Sequence, residues 1–248
     1  MNELLTEDRG TVRILTMNRP EKRNALNTAL TQALLDGLRA ADGAESVACV
    51  VLTGAGQGFC AGADLSEFKD LTPANQHLVE ERAELTMQLQ LAFSKMAKPV
   101  VTAINGAAMG GGAGLAIAAD LAVMAESARI GYPETRHGIV AAIVMANLVR
   151  QVGRKHAFEL VSLGEPIDAH RALAMGMINR VVADRDLLAE TLIFATRLSM
   201  VRPEALRATK QLFHEVADLP LEEALRRGRE LNKRMRGFKG SAGASRKA

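Results

Sequence analysis

The sequence has no tryptophan, one tyrosine and seven phenylalanines among 248 residues, so aromatics make up 3% of the chain. Proteins that read single-stranded nucleic acid stack bases on aromatic faces, and that supply is missing here. Cysteine is nearly absent as well. Cys49 and Cys60 are the two thiols, which excludes a disulfide scaffold and points to a reducing compartment. No apolar secretory leader is visible, and the cytoplasm is the expected address. Long hydrophobic runs are also lacking: the longest candidate, from Gly110 onward, is cut by Asp120 and riddled with glycine, short of the roughly 20 unbroken apolar residues of a membrane helix. Neither a membrane nor a nucleic acid is an expected partner. The two cysteines stand eleven residues apart and the five histidines are scattered, so no metal site is expected either.

The composition that remains is globular, with 48% hydrophobic and 24% charged residues. The sequence pI of about 9.0 is local in origin. Twelve of the 31 Lys and Arg lie beyond Val201, against six of the 28 Asp and Glu, while the first 201 residues are net acidic. A basic terminal segment of this kind reads as a solvated helix face.

Three β-branched runs, Thr11–Met17, Val47–Thr53 and Pro99–Asn105, are too short for stable helices and predict strands; Asp120–Ala125 is a weaker fourth. Between them, Leu30, Leu34 and Leu38, and then Leu85, Leu89 and Phe93, recur at helical spacing. Strands alternating with helices imply an α/β architecture. Beyond about Ala141 helices dominate, with expected starts at Asp168, Asp184, Pro203 and Leu221. No internal repeat is apparent. Residues 240–248 are small, polar and basic, and are expected to fray.

Three segments could carry chemistry. Gly54–Asp64, preceded by Thr53 (TGAGQGFCAGAD), follows a strand and holds four glycines in eleven residues. It fits neither a dinucleotide fingerprint, because Phe59 stands where the third glycine belongs, nor a phosphate loop, because no Gly-Lys-Ser/Thr follows. Taken alone it is a loop. Asn105–Asp120 (NGAAMGGGAGLAIAAD) joins a strand to an alanine-rich helix; its triple glycine, 110–112, either exposes N–H groups at a helix start to a developing negative charge or permits tight helix–sheet packing. In Ile130–Gly138 (IGYPETRHG), Glu134 has largely apolar neighbours, a setting that raises a carboxyl pKa toward general-base range; a lone Glu can equally be a surface residue.

Taken together, these segments resemble the enoyl-CoA hydratase/isomerase, or crotonase, superfamily. The resemblance runs from Asn18–Leu26 (NRPEKRNAL) through Phe59–Asp64 (FCAGAD), Gly110–Gly112, Asp120 and Pro133-Glu134 to Ala172–Val181 (ALAMGMINRV), about the first 185 residues. It implies a crotonase-like ββα superhelix with a helical C-terminal trimerisation region: a catalytic and acyl-CoA-binding core over residues 1–185, and an oligomerisation region with a basic tail over 186–248. It also implies an acyl-CoA thioester as substrate, coenzyme A being part of that substrate and no separate cofactor being needed. Trimers or hexamers are implied too.

Residue by residue, the resemblance makes the backbone N–H groups of Ala63 and Gly111 the pair that grips the thioester carbonyl and Glu134 the proton-transfer group. Arg23 and Ala25 fall at contacts to the nucleotide end of coenzyme A, and Asp64, Leu65, Ser66 and Gly110 line the site. An enolate formed by removing a proton alpha to a thioester needs such preorganised donors; losing one typically costs about 10²–10³ in rate.

One position departs from the pattern. Family hydratases carry a first glutamate two residues past the triple glycine, where this chain has Gly114. Adding water across a C2–C3 double bond is work for two carboxylates, whereas moving a double bond from C3 to C2 needs one base that takes a proton from C2 and returns it at C4. Glu134-Thr135 followed by Gly138-Ile139 resembles the family's isomerases, and the Pro/Gly-rich hydratase segment just downstream is replaced by Val140–Met145. The expected activity is therefore a 3-enoyl to 2-enoyl-CoA isomerase. A hydratase with a non-standard second acid and a non-catalytic acyl-CoA-binding or assembly protein are the alternatives. Arg136 and His137 are possible participants, and Cys60 reads as a packed thiol, not a nucleophile.

Overall fold

The computed structural model describes residues 2–236. The expected strands form: β2 is Val12–Met17, β3 Cys49–Gly54, β5 Val100–Ile104 and β7 Leu121–Ala125. They are joined by β1 (Leu4–Arg9) at one edge and β10 (Arg180–Val182) at the other. The six-stranded sheet has the order β1-β2-β3-β5-β7-β10, antiparallel for the β1–β2 pair and parallel thereafter. β3 and β5 are buried almost throughout, as strands of a covered parallel sheet must be, which is why they read as continuous apolar runs.

A second, four-stranded sheet went unread in the sequence. Its strands are β4 (Gly58–Cys60), β6 (Ala107–Met109), β8 (Arg129–Gly131) and β9 (Ile167–Asp168), in that order. They are two or three residues long, too short for any periodicity, and lie inside the glycine-rich segments. β4, β6 and β8 run parallel to one another.

The helices complete the scheme: α1 (Thr28–Gly43), α2 (Gln76–Lys95), α3 (Gly111–Ala118), α4 (Met145–Leu163), α5 (Ala169–Ala174), α6 (Leu187–Ser199), α7 (Pro203–Val216) and α8 (Leu221–Arg234). Three turns of ββα follow: β3-β4-α2, β5-β6-α3 and β7-β8-α4, each placing one strand in the large sheet and one in the small. This is the repeat that no sequence period revealed, because the turns share geometry and not residues. α1 starts at an Asn27 cap that accepts from the Leu30 N–H at 2.8 Å, and it buries Leu30, Leu34 and Leu38 completely. Asp168 caps α5 as expected, and α7 and α8 start where the prolines indicate. Asp184 does not cap α6; it opens a short 3-10 turn and its carboxylate accepts from the Ser127 N–H.

α6 packs on β2, β3, β5 and β7 and fully buries Thr191 and Ala195, so it is part of the cover of the large sheet. α7 is tied down by Lys210, whose ammonium is buried and donates to the Lys98 carbonyl and to Asp120 Oδ2, each at 2.8 Å. Asp120 Oδ2 also accepts from the Val100 N–H, and its Oδ1 lies 3.2 Å from His214 Nε2. The expected frayed tail, residues 240–248, lies outside the described residues. Among those described, no helix is long and apolar enough to cross a membrane.

Candidate active site

The small sheet builds the site. Each of its three parallel strands ends within three residues of one expected group: β4 at Cys60 leads to Ala63, β6 at Met109 to Gly111, and β8 at Gly131 to Glu134. Neighbouring strands lie about 4.8 Å apart, so three groups scattered over 71 residues of sequence emerge side by side at the carboxyl ends of adjacent strands.

The Ala63 peptide is fixed by a parallel bridge to Leu26: the Leu26 N–H donates to the Gly62 carbonyl at 2.7 Å and the Asp64 N–H to the Leu26 carbonyl at 3.0 Å. That pairing leaves the Ala63 N–H without a protein acceptor among the described residues. The same holds for Gly111, the first residue of α3, whose N–H lies at the positive end of the helix. The two amides are neighbours; a Cβ built on Gly111 would stand 3.9 Å from the Ala63 nitrogen. The two readings of the triple glycine turn out to be compatible. Gly112 serves packing, since a Cβ there would lie 2.2 Å from the Cys60 carbonyl oxygen, while Gly111 leaves its N–H open.

Glu134 joins them. A Cβ on Gly110, which has φ +52°, would stand 2.8 Å from Glu134 Oε1. Oε2 is buried without a hydrogen-bond partner among the described residues. Desolvation pushes the Glu134 carboxyl above the ordinary glutamate range, against smaller opposing effects of a backbone hydrogen bond and of His137. Glu134 rides on a short 3-10 turn, Pro133–His137. Thr135 Oγ1 pins that turn to the Val161 carbonyl at 3.1 Å, and Arg136 Nε pins it to the Leu163 carbonyl at 3.0 Å. Arg136 thus braces Glu134 by holding its turn to the end of α4. His137 is exposed.

The remaining expected residues divide. The Asp64 carboxylate is turned into the fold, accepting from Arg19 Nη2 at 2.8 Å and from the Ser66 hydroxyl at 2.7 Å and N–H at 3.0 Å. These contacts, Ser66 foremost, hold its pKa down to about 2. Asp64 and Ser66 therefore spend their polar atoms on each other, and Leu65, 58% exposed, is the side chain this segment presents outward. Arg23 is exposed in a left-handed conformation with φ +50°, and its carbonyl accepts from the Ala61 N–H at 2.9 Å. Ala25 is buried and its carbonyl accepts from Arg19. Cys60 is fully buried and desolvation pushes its thiol up to about 12, so it is no nucleophile.

Three residues that hold the site went unread. Asn24, fully buried, donates to the Ala55 and Gly58 carbonyls and accepts from the Arg19 N–H. Asn105 donates to the Gly54 and Gly56 carbonyls. Asparagine in a loop is common, and only the closed structure shows which carbonyls it collects. Tyr132 is fully buried beside Glu134 in sequence, and its hydroxyl has no partner among the described residues. Burial, then the Glu134 charge, raises its pKa, so it stays a neutral phenol. Gly114 lies under Val144: a Cβ there would meet Val144 Cγ1 at 2.3 Å. Among the described residues no three His, Cys, Asp or Glu gather as metal ligands.

Solved structures share this fold and its helical C-terminal region. An enoyl-CoA hydratase from Mycobacterium smegmatis superposes with a TM-score of 0.89 at 32% identity, covering 95% of this chain and 91% of that one. Another, from Bacillus anthracis, superposes with a TM-score of 0.90 at 28% identity, covering 96% and 92%. A ββα superhelix with two open amides beside a carboxylate thus defines the class of fold. The sequence model of the enoyl-CoA hydratase/isomerase family matches residues 7–241, and the 2,3-dehydroadipyl-CoA hydratase of Escherichia coli is 38% identical over 234 residues, 93% of this chain and 89% of its own. This chain belongs to the enoyl-CoA hydratase/isomerase family, the crotonases, and is an acyl-CoA-processing enzyme.

Proposed function

We propose that the enzyme moves the double bond of a 3-enoyl-CoA to the 2-position. The observation that carries this reading is the solitary carboxylate: Glu134 stands against Gly110 next to the open amides of Ala63 and Gly111, while residue 114 is a glycine packed under Val144. Glu134 takes a proton from C2, the electrons of that C–H bond move into the thioester, and the carbonyl oxygen becomes an enolate oxygen held by the two N–H groups. The enolate collapses as Glu134 returns the proton at C4, leaving the double bond between C2 and C3. One base suffices because removal and return occur on the same enolate.

The amides matter because the charge develops where they already point. They do not reorganise during the reaction, and each is worth about 10²–10³ in rate. A desolvated Glu134 is a stronger base than one in water, which suits it to a weakly acidic C–H. Coenzyme A enters with the substrate, its nucleotide end toward Arg23 and Ala25 and its thioester toward Gly110 and Leu65, without a further cofactor or metal. A trimeric or hexameric cytoplasmic enzyme fits this reading.

A second reading, hydration of a 2-enoyl-CoA, is favoured by the hydratase names of the relatives. One experiment separates the two. The protein is mixed with 3-enoyl-CoA and with 2-enoyl-CoA, and the conjugated thioester is followed by absorbance. Isomerisation raises that signal from the first substrate; hydration removes it from the second. Glu134→Gln keeps the volume and should lower turnover by orders of magnitude while acyl-CoA binding persists. Unchanged turnover would overturn the assignment.

A further inference from the structure

We propose that Val144 is the residue that commits the enolate to proton return, by filling the space from which a second acid would deliver water. The proposal rests on the isomerase reading and names the side chain that enforces it. Gly114 lies one helical turn beyond Gly110, to whose carbonyl its N–H donates at 2.9 Å. Residues three and four apart share a helix face. Gly111 and Gly114 stand three apart on α3, so a side chain at 114 would leave on the face that meets Ala63 at Gly111.

That exit is blocked. A Cβ on Gly114 would lie 2.3 Å from Val144 Cγ1 and 2.9 Å from Val144 Cβ, closer than carbon atoms approach without displacing one another. Val144 is buried and stands just before the first turn of α4. Being β-branched it has few rotamers to escape into. Behind it, Gln90 Nε2 would be 3.1 Å from the same point, and Gln90 is itself held by the Asn147 amide, which donates to its Oε1 at 3.2 Å.

The groups on this side are an alkyl branch and a neutral amide. Hydration forms a bond from a water oxygen to C3 and one from a proton to C2, and the water must lose a proton to a base as it attacks. A water also needs two to four polar partners to reside in a closed site. Val144 supplies neither base nor partner and Gln90 offers an amide but no base, so among the described residues no group on the side of residue 114 can take a proton from an attacking water.

The test is a two-site series: wild type, Gly114→Glu, Val144→Gly and the double variant. Each is incubated with 2-enoyl-CoA and scored by mass for the product heavier by one water. The double variant should form 3-hydroxyacyl-CoA about ten-fold faster than either single variant, a non-additivity typical of residues in direct contact. Gly114→Glu alone should also melt below wild type, and Val144→Gly should restore part of that loss.

If Gly114→Glu alone hydrates as fast as the double variant, residue 144 excludes nothing and the proposal falls. A folded double variant that hydrates no faster than wild type overturns it equally. Should the double variant fail to fold, Gly114→Asp with Val144→Gly asks for less volume and is read the same way. Failure of the isomerase reading would appear separately, as a wild-type protein that leaves 3-enoyl-CoA untouched.

Discussion

Glu134 and Gly110 are locked to each other: the carboxylate occupies the space into which residue 110 would project a side chain, with Oε1 2.8 Å from the Cβ position. The Glu134 carboxylate is thereby positioned by the same turn of chain that presents the Gly111 amide. The arrangement predicts that Gly110→Ala displaces the carboxylate and also forces a side chain onto a φ of +52°. Turnover should fall about 100-fold, as expected for a misplacement of roughly an ångström, and stability by about 1–3 kcal/mol. Kinetics and urea unfolding of the same variant check both.

Desolvation of Glu134 sets the pH dependence. On the proposed mechanism Glu134 acts ionised, so kcat/KM should rise with pH through a midpoint above the ordinary glutamate value of about 4.3. The sign for stability is opposite. A carboxyl whose folded pKa is raised retains its proton more firmly in the native state, so its contribution is present in acid and lost as pH rises through the folded pKa. Glu134→Gln should melt higher than wild type above that midpoint, with the difference vanishing below about pH 4. A pH series of melting curves decides; a flat difference would count against the raised pKa.

Asp64 has the reverse sign. Its pKa of about 2 lies below the unfolded value, so its contribution is present above about pH 3.9 and is lost as pH falls toward 2. Asp64→Asn should cost about 2 kcal/mol at neutral pH, the scale of a charge-assisted hydrogen bond, tempered because Arg19 also meets Glu3. The gap from wild type should narrow in acid, as read from denaturant midpoints at several pH values.

Lys210 anchors α7 to the large sheet through Asp120. Lys210→Met removes the buried cation that pairs with the Asp120 carboxylate and should cost about 3–5 kcal/mol. Hydrogen exchange should show α7 opening more readily than β5 or β7. Uniform protection loss would mean that α7 and the sheet unfold as one unit.

Much of the large sheet was legible in the sequence, because Val50, Val51, Val100 and Val101 are covered on both sides and burial of that kind leaves a β-branched run. The helix starts at Ala169, Pro203 and Leu221 carry local chemistry in their caps and prolines. The small sheet carries none, since strands of two or three residues are imposed by their neighbours. Glu134, Ala63 and Gly111 could be named from the resemblance, but their adjacency depends on that unseen sheet. The inward turn of Asp64 was hidden for a different reason: its partner Arg19 is 45 residues away in sequence.

The three parallel strands of the small sheet also separate duties. Each delivers one participant from its own turn of the superhelix, the two amides from main chain and the acid from a side chain. On the proposed mechanism the grip on the thioester is made by main-chain N–H groups, which no exchange short of proline removes, although a Cβ at 111 must clear Leu26 at 3.3 Å, while the fate of what is gripped rests on side chains. A scaffold wired this way can trade one reaction for another without relearning how to hold its substrate.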